Sequence, residues 1–258
     1  MLYERLMMDG AVLSVYAPSN FPEMDEKKQR PFMIICPGGA YSHCSDREGE
    51  PVALRFMSLG WAAGVLTYST SPARYPVALN QLAETVKYIR NHCTKYNAHP
   101  HRIVVMGFSA GGHLAACLGN MWHDWGEDCR PNALVLCYPV ITSGDYAHVR
   151  SFMNLLGNQY EELKDDLSME KKVSLLTPPT FVWHTRTDEG VACMNSLLFA
   201  DQLQKFGIKH HLELFETGEH GLSLANREVL SQKHPAVNNE VAQWPELADN
   251  WLRKIFEK

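Results

Sequence analysis

No C-x-x-C pair occurs among the 258 residues, although the chain carries seven cysteines, at positions 36, 44, 93, 117, 129, 137 and 193. Odd in number and scattered, they spell out neither a disulfide framework nor a zinc cluster, and they suit a reducing cytoplasm. Long apolar runs are missing as well: no stretch reaches the roughly 18 residues of a membrane-spanning helix. The first ten residues, Met1 to Gly10, place acids where a secretory signal needs a basic and then an apolar run. Secretion and membrane spanning are therefore both disfavoured. There is no basic excess either. A formal charge of −5 offers no electrostatic footprint for nucleic acid or an anionic membrane surface, so a small uncharged or weakly charged ligand is the better-fitting partner. Internal repeats, low-complexity tracts and linkers are absent, and nothing in the sequence sets an oligomeric state.

What the chain does have is an ordinary globular composition, 45% hydrophobic and 21% charged, and a length that fits one α/β domain spanning residues 1–258. Apolar runs that read as strands recur at 11–16, 32–36, 62–68, 103–106, 133–138, 181–184 and 211–215. Between most of them lie helical patterns, at 51–58, 79–96, 112–121, 191–206 and 244–256. Strand alternating with helix calls for a doubly wound, mainly parallel sheet covered by helices on both faces. Residues 91–100 read as a polar turn. Residues 143–179 form a small insert with short helices near 152–156 and 161–166, too poor in apolar side chains to build a core of its own.

The segment from His101 to His113 carries the chemistry. It places Gly107-Phe-Ser-Ala-Gly111 between a buried strand and a helix, the context in which a sharp turn presents a serine to the reacting centre. Ser109 is thereby a candidate nucleophile. A serine hydroxyl needs a base, and the base needs an orienting group. In a sheet of this kind both belong at the carboxyl ends of later strands, acid before histidine. Asp188, in the loop after strand 181–184, is the expected acid, with Glu189 as runner-up. An alternative job for Asp188 is to cap the helix expected near Val191. His220, after strand 211–215 and followed by Gly221, is the expected base. Charge developing on a tetrahedral intermediate requires preorganised donors. The N–H of Ala110 is one candidate, and Gly39 and Ala40, in Cys36-Pro-Gly-Gly-Ala-Tyr41, are the others; the alternative is that Pro37 to Gly39 is only a tight turn.

Other features carry less. His99, His101, His210 and His211 lack a third ligand nearby, so no metal is expected. His113, one turn behind Ser109, reads as a buried, hydrogen-bonded residue that holds nearby loops. Trp122 and Trp125 either line a sugar-stacking surface or cover core, and the latter is commoner for aromatics at a helix end. Tyr41 and His148 are candidate substrate contacts by position. The run 161–166 is a solvated helical face.

At these residues the chain resembles the α/β-hydrolase superfamily, and within it the small esterases related to acetylxylan and other carbohydrate esterases. The resemblance rests on Cys36 to Tyr41 with Arg47-Glu-Gly-Glu-Pro-Val-Ala53, on Gly107 to Ala115, on His184-Thr-Arg-Thr-Asp188 before Asn195-Ser196, and on His220-Gly-Leu222, and it spans roughly residues 10–255. It implies a carboxylic-ester hydrolase with nucleophile Ser109, acid Asp188 and base His220, no cofactor or metal, and little or no cap domain. The expected substrate is a short acyl ester, foremost an acetylated sugar or oligosaccharide. One departure is that Pro37 and Ala40 flank only two glycines where related lipases have His-Gly-Gly-Gly, which leaves the oxyanion donors open. Similar motifs occur in oligopeptidases, so a small peptidase or amidase is the alternative, and a non-catalytic binding protein on the same scaffold is a third.

Overall fold

In the computed structural model, which describes residues 1–257, one sheet of eight strands runs in the order β1-β2-β4-β3-β5-β6-β7-β8. The elements in chain order are β1 (Leu2–Met8), β2 (Ala11–Ala17), β3 (Arg30–Cys36), α1 (Glu50–Ser58), β4 (Ala62–Thr67), α2 (Val77–Asn91), β5 (Ala98–Phe108), α3 (Ala110–Met121), β6 (Ala133–Cys137), α4 (Val149–Leu156), α5 (Tyr160–Leu163), β7 (Thr180–Thr185), α6 (Met194–Lys205), β8 (His210–Phe215) and α7 (Trp244–Phe256). From β4 to β8 every neighbouring pair in the sheet is parallel, while β1 on β2 and β2 on β4 are antiparallel. The expected doubly wound sheet is therefore present, with an antiparallel edge.

The reason lies in burial. β3, β6 and most of β5 are apolar on both faces, as strands sandwiched between helices must be. One face packs against α2, α3 and α6 through Leu82, Leu114 and Phe199. The other packs against α1 and α7 through Phe56, Trp244 and Leu252. The helices thus divide between the two faces, and the carboxyl ends of the parallel strands are left to loops.

Several boundaries move from their expected places. β1 was not anticipated: Glu4 and Arg5 interrupt its apolar run, and as an edge strand it buries little beyond Met8. Its Glu4 is held instead by Lys95 and the Tyr96 hydroxyl. The helix expected to 96 ends at Asn91, and a 3₁₀ turn from Cys93 to Tyr96 reverses at Asn97 in the left-handed region, which asparagine tolerates better than most residues. β5 consequently begins at Ala98, inside the expected polar turn. α4 and α5 correspond to the short helices read in the insert, and α4 lends Phe152, Leu155 and Leu156 to the same core as α3. Among the described residues, no helix is long and apolar enough to cross a membrane.

His113 shows how α3 grips its surroundings. Its buried ring stands 2.9 Å from the Tyr41 hydroxyl through Nδ1 and 2.8 Å from the Leu167 carbonyl through Nε2. A carbonyl only accepts, so Nε2 carries the hydrogen and Tyr41 donates to Nδ1. Burial pushes the imidazole down to about 4, the Leu167 carbonyl opposing only in part. Between that value and the ordinary histidine range the unfolded chain binds a proton that the folded chain refuses, so stability falls as pH drops through this window. The loss attributable to His113 is about 3 kcal/mol. Urea unfolding at a series of pH values from neutrality to pH 4 checks this, with His113→Gln expected to flatten the dependence.

Candidate active site

The turn between β5 and α3 is held open by what glycine lacks. A Cβ on Gly107 would lie 2.0 Å from the Gly111 carbonyl oxygen, and one on Gly111 would lie 2.1 Å from the Cys36 carbonyl oxygen at the end of β3. Strand and helix can approach this closely only without side chains. Ser109 between them takes φ 52° and ψ −116°, a conformation that costs an L-residue energy and persists because its neighbours fix it. Its N–H donates to the Cys137 carbonyl at 3.0 Å, and its own carbonyl accepts from Val140 and His113. The strained residue is thereby pinned on both sides.

Ser109 Oγ lies 2.8 Å from His220 Nε2, and His220 Nδ1 lies 2.8 Å from Asp188 Oδ2. The three expected residues thus converge from loops after β5, β7 and β8. An ionised carboxylate only accepts, so Nδ1 carries the hydrogen and Nε2 is left to accept from the serine hydroxyl. The Tyr138 ring packs edge-on against the imidazole at 5.1 Å. Gly190 leaves it room, since a Cβ there would meet His220 Cβ at 2.7 Å.

Asp188 divides its two oxygens between the backbone of its own loop and two imidazoles. Oδ1 accepts from the N–H groups of Gly190 and Val191, each at 2.8 Å. This builds a turn and not a helix cap, and it is one reason that α6 starts only at Met194. Oδ2 faces His220 and also His184 Nε2 at 3.2 Å. Burial alone would raise this carboxyl. Hydrogen bonds from His184 and His220, the charge on His220 and the Val191 N–H outweigh it and hold the group well below the usual carboxylate range. Glu189, the runner-up, points to solvent.

Among the described residues, the N–H groups of Gly39, Ala40 and Ala110 find no acceptor in the protein, as donors reserved for a ligand would not. Gly39 and Ala40 line the cleft above Ser109, which encloses about 470 Å³. The neighbouring Gly38 N–H is occupied by Glu48. The turn in this loop lies one step later than Pro37 to Gly39, over Gly39 to Ser42, closed by Ser42 N–H donating to the Gly39 carbonyl at 2.9 Å.

Of the two candidate substrate contacts, His148 lines the cleft, its Nδ1 2.7 Å from Ser151 Oγ. Tyr41 requires correction. Ala40 and Tyr41 both adopt positive φ, which turns the tyrosine ring inward until it is 2% exposed. Its hydroxyl is spent on His113, so it shapes the loop and does not meet a ligand. His113 is the buried, loop-holding residue expected. Trp122 and Trp125 lie away from the cleft, their indole N–H groups bound to the Leu176 carbonyl and Asn80. Among the described residues, no three His, Cys, Asp or Glu side chains converge to hold a metal ion.

Two residues of the site escaped the sequence reading. His184 is fully buried, its Nδ1 bonded to Ser196 Oγ at 2.7 Å and its Nε2 to the Val191 carbonyl at 2.9 Å, so it steadies Asp188 from behind. Glu48 is only 4% exposed. Its Oε2 accepts from Gly38 N–H at 2.7 Å and its Oε1 from the Tyr138 hydroxyl at 2.6 Å, while that hydroxyl accepts from Ser223 N–H at 2.9 Å. One carboxylate thereby joins the donor loop to the tyrosine against which His220 packs. No spacing rule marks either residue, for each sits inside a motif whose neighbours drew the attention. Truncation by Glu48→Ala leaves two buried donors without an acceptor and is expected to destabilise the fold by at least about 2 kcal/mol, with Glu48→Gln milder; urea unfolding measures both.

Comparison with known proteins follows this geometry. The BD-FAE family model matches residues 13–134, and that of the prolyl oligopeptidase family matches residues 77–237, more than half of the chain. Endo-1,4-beta-xylanase B of Butyrivibrio fibrisolvens is 38% identical over 79% of this chain and 34% of its own. The acetylxylan esterase of Xylanibacter ruminicola is 29% identical over 73% of this chain and 40% of its own. The chain thus spans only about a third to two fifths of the length of these curated relatives. In three dimensions, the acetyl ester-xyloside bifunctional hydrolase of Caldicellulosiruptor lactoaceticus superimposes with a TM-score of 0.83 at 38% identity, over 95% of this chain and 88% of that one. Sheet order, serine turn and these likenesses agree: the chain belongs to the α/β-hydrolase superfamily.

Proposed function

We propose that the protein is a serine carboxylic-ester hydrolase that removes short acyl groups, acetyl foremost, from sugars or oligosaccharides. The observation that carries this reading is the unbroken relay of two 2.8 Å hydrogen bonds from Ser109 through His220 to Asp188 at the floor of an accessible cleft. Ser109 Oγ attacks the ester carbonyl as His220 Nε2 takes its proton. Asp188 keeps Nδ1 protonated and balances the imidazolium. The N–H of Ala110, with that of Gly39 or Ala40, receives the oxyanion. The alcohol leaves with the proton from His220, and water repeats the sequence to free the acid. The acetyl preference is supported by the names of the acetylxylan esterase and the acetyl ester-xyloside hydrolase. The xylanase name does not bear on it, because it names no acetyl ester, and the chain matches only 34% of that protein and 40% of the acetylxylan esterase. The seven cysteines are all unpaired, which supports placement in the cytoplasm.

The prolyl oligopeptidase match over residues 77–237 favours a second reading, cleavage of a small amide. Acetylated saccharides and aminoacyl amides compared at equal enzyme concentration separate the two. In the ester reading, Ser109→Ala lowers turnover of p-nitrophenyl acetate on the order of 10³-fold or more. Asp188→Asn lowers it by about 10⁴-fold, because the amide favours the wrong imidazole tautomer. Near-normal turnover in either variant contradicts the relay, and a wild-type protein whose Ser109 takes no fluorophosphonate label is a binding protein instead.

A further inference from the structure

The chain carries a net charge of −5, yet the walls of the Ser109 cleft have the opposite sign. Three permanent cations line it, Arg47, Arg150 and Lys233, against a single carboxylate, Glu48. Glu48 accepts from Gly38 and Tyr138 and forms no ion pair with any of the three. Asp188 stands behind His220, outside the lining. Arg47 is fixed in place by the carbonyls of Val229 and Gly221, at 2.7 and 2.8 Å, and those partners leave its charge uncompensated.

Arg150 and Lys233 come from separate segments, α4 of the insert and the loop between β8 and α7. Among the described residues, neither has a carboxylate within ion-pair distance, in contrast to Lys95, Lys171 and Arg253. The nearby Glu219 is engaged with His234 at 2.8 Å. Arg150 also occupies the first turn of α4 with no acid beside it, where a cation opposes the helix dipole and costs stability. Its field reaches into the site. His148 is held below the ordinary histidine range by burial first, then by His220 and Arg150, with Asp188 opposing.

We infer that the ester this cleft accepts carries an anionic group on its alcohol portion, a carboxylate or a phosphate, met by Arg150 and Lys233. The inference rests on the esterase reading for one point only: an acetyl group bears no charge, so the anion must belong to the alcohol. A cleft lined by one sign of charge concentrates ligands of the other, by about tenfold or more at low ionic strength, and salt screens the effect.

The test compares three esters monoacetylated at the same hydroxyl: a methyl glucoside, the corresponding methyl glucuronide, and the methyl glucoside 6-phosphate. At low salt, kcat/KM for at least one anionic ester is expected to exceed that for the neutral one by about tenfold. The arm that shows the larger ratio tells carboxylate from phosphate. High salt or the Arg150→Gln/Lys233→Gln double variant brings the ratio towards one, and Arg150→Lys retains part of it. Each ratio is taken on a single preparation, so loss of folded protein cancels. A wild-type ratio of one, or a ratio that survives in the double variant, overturns the inference. Calorimetry with the deacetylated methyl glucuronide, glucoside phosphate and neutral glucoside on Ser109→Ala supplies a readout free of turnover. Tighter binding of an anionic sugar upholds the anion site even if no ester is cleaved, in which case the esterase reading alone falls. Equal binding of all three sinks the anion site and leaves that reading standing.

Discussion

The carboxyl end of the sheet is organised around a contact between two backbones. Gly111, at the start of α3, approaches the Cys36 carbonyl at the end of β3 so closely that no side chain fits between them. From that approach follow the sharp turn at Ser109, its positive φ and the position of the Ala110 N–H beside the loop that holds Gly39 and Ala40. The hydroxyl and its neighbouring donors are arranged before any ligand arrives, as the proposed reaction would require of them. The cost of the strained serine is spread over bonds to Cys137, Val140 and His113, which tie the turn to β6 and to its own helix.

The proposed acid is held with equal economy. Asp188 divides its oxygens, one shaping the backbone turn and one serving two imidazoles. Four donors around a buried carboxylate explain why the charged form persists against burial. They also explain why the imidazole of His220 has a single tautomer available. Glu48 plays a parallel part across the cleft, bridging the donor loop and Tyr138. Two buried carboxylates, both fully hydrogen-bonded, therefore bracket the serine, and neither is exposed enough to bind a ligand itself.

Much of this was legible in the sequence because it is periodic or ordered along the chain. The parallel strands announce themselves as apolar runs, and Ser109, Asp188 and His220 follow strand ends in sequence order, which is why geometry brings the expected trio together. What stayed hidden has no period. β1 pairs through its backbone and is broken by Glu4 and Arg5. Tyr41 lies next to the donor loop in sequence, but two consecutive positive φ angles send its ring the other way. Glu48 reaches Tyr138, 90 residues away, and His184 gathers Asp188, Val191 and Ser196 around one buried ring; neither meeting follows a helical or strand period. Net charge is silent in a similar way: an acidic total does not say how the cations are distributed over one cleft.

The His113 clamp has a consequence for how such enzymes can diversify. Tyr41, His113 and Leu167 form one chain of hydrogen bonds, and Asn154 of α4 donates to the Ala40 carbonyl at 2.8 Å. The insert that walls the cleft is therefore fastened to the same backbone that presents the proposed oxyanion donors. Exchanging this insert for a longer or shorter one, as a route to a new substrate, would disturb the reaction centre unless Asn154 and the Leu167 carbonyl travelled with it. The modular part of this protein is thus smaller than its loop lengths imply: a graft can vary the rim around Arg150, but its anchoring points belong to the machinery.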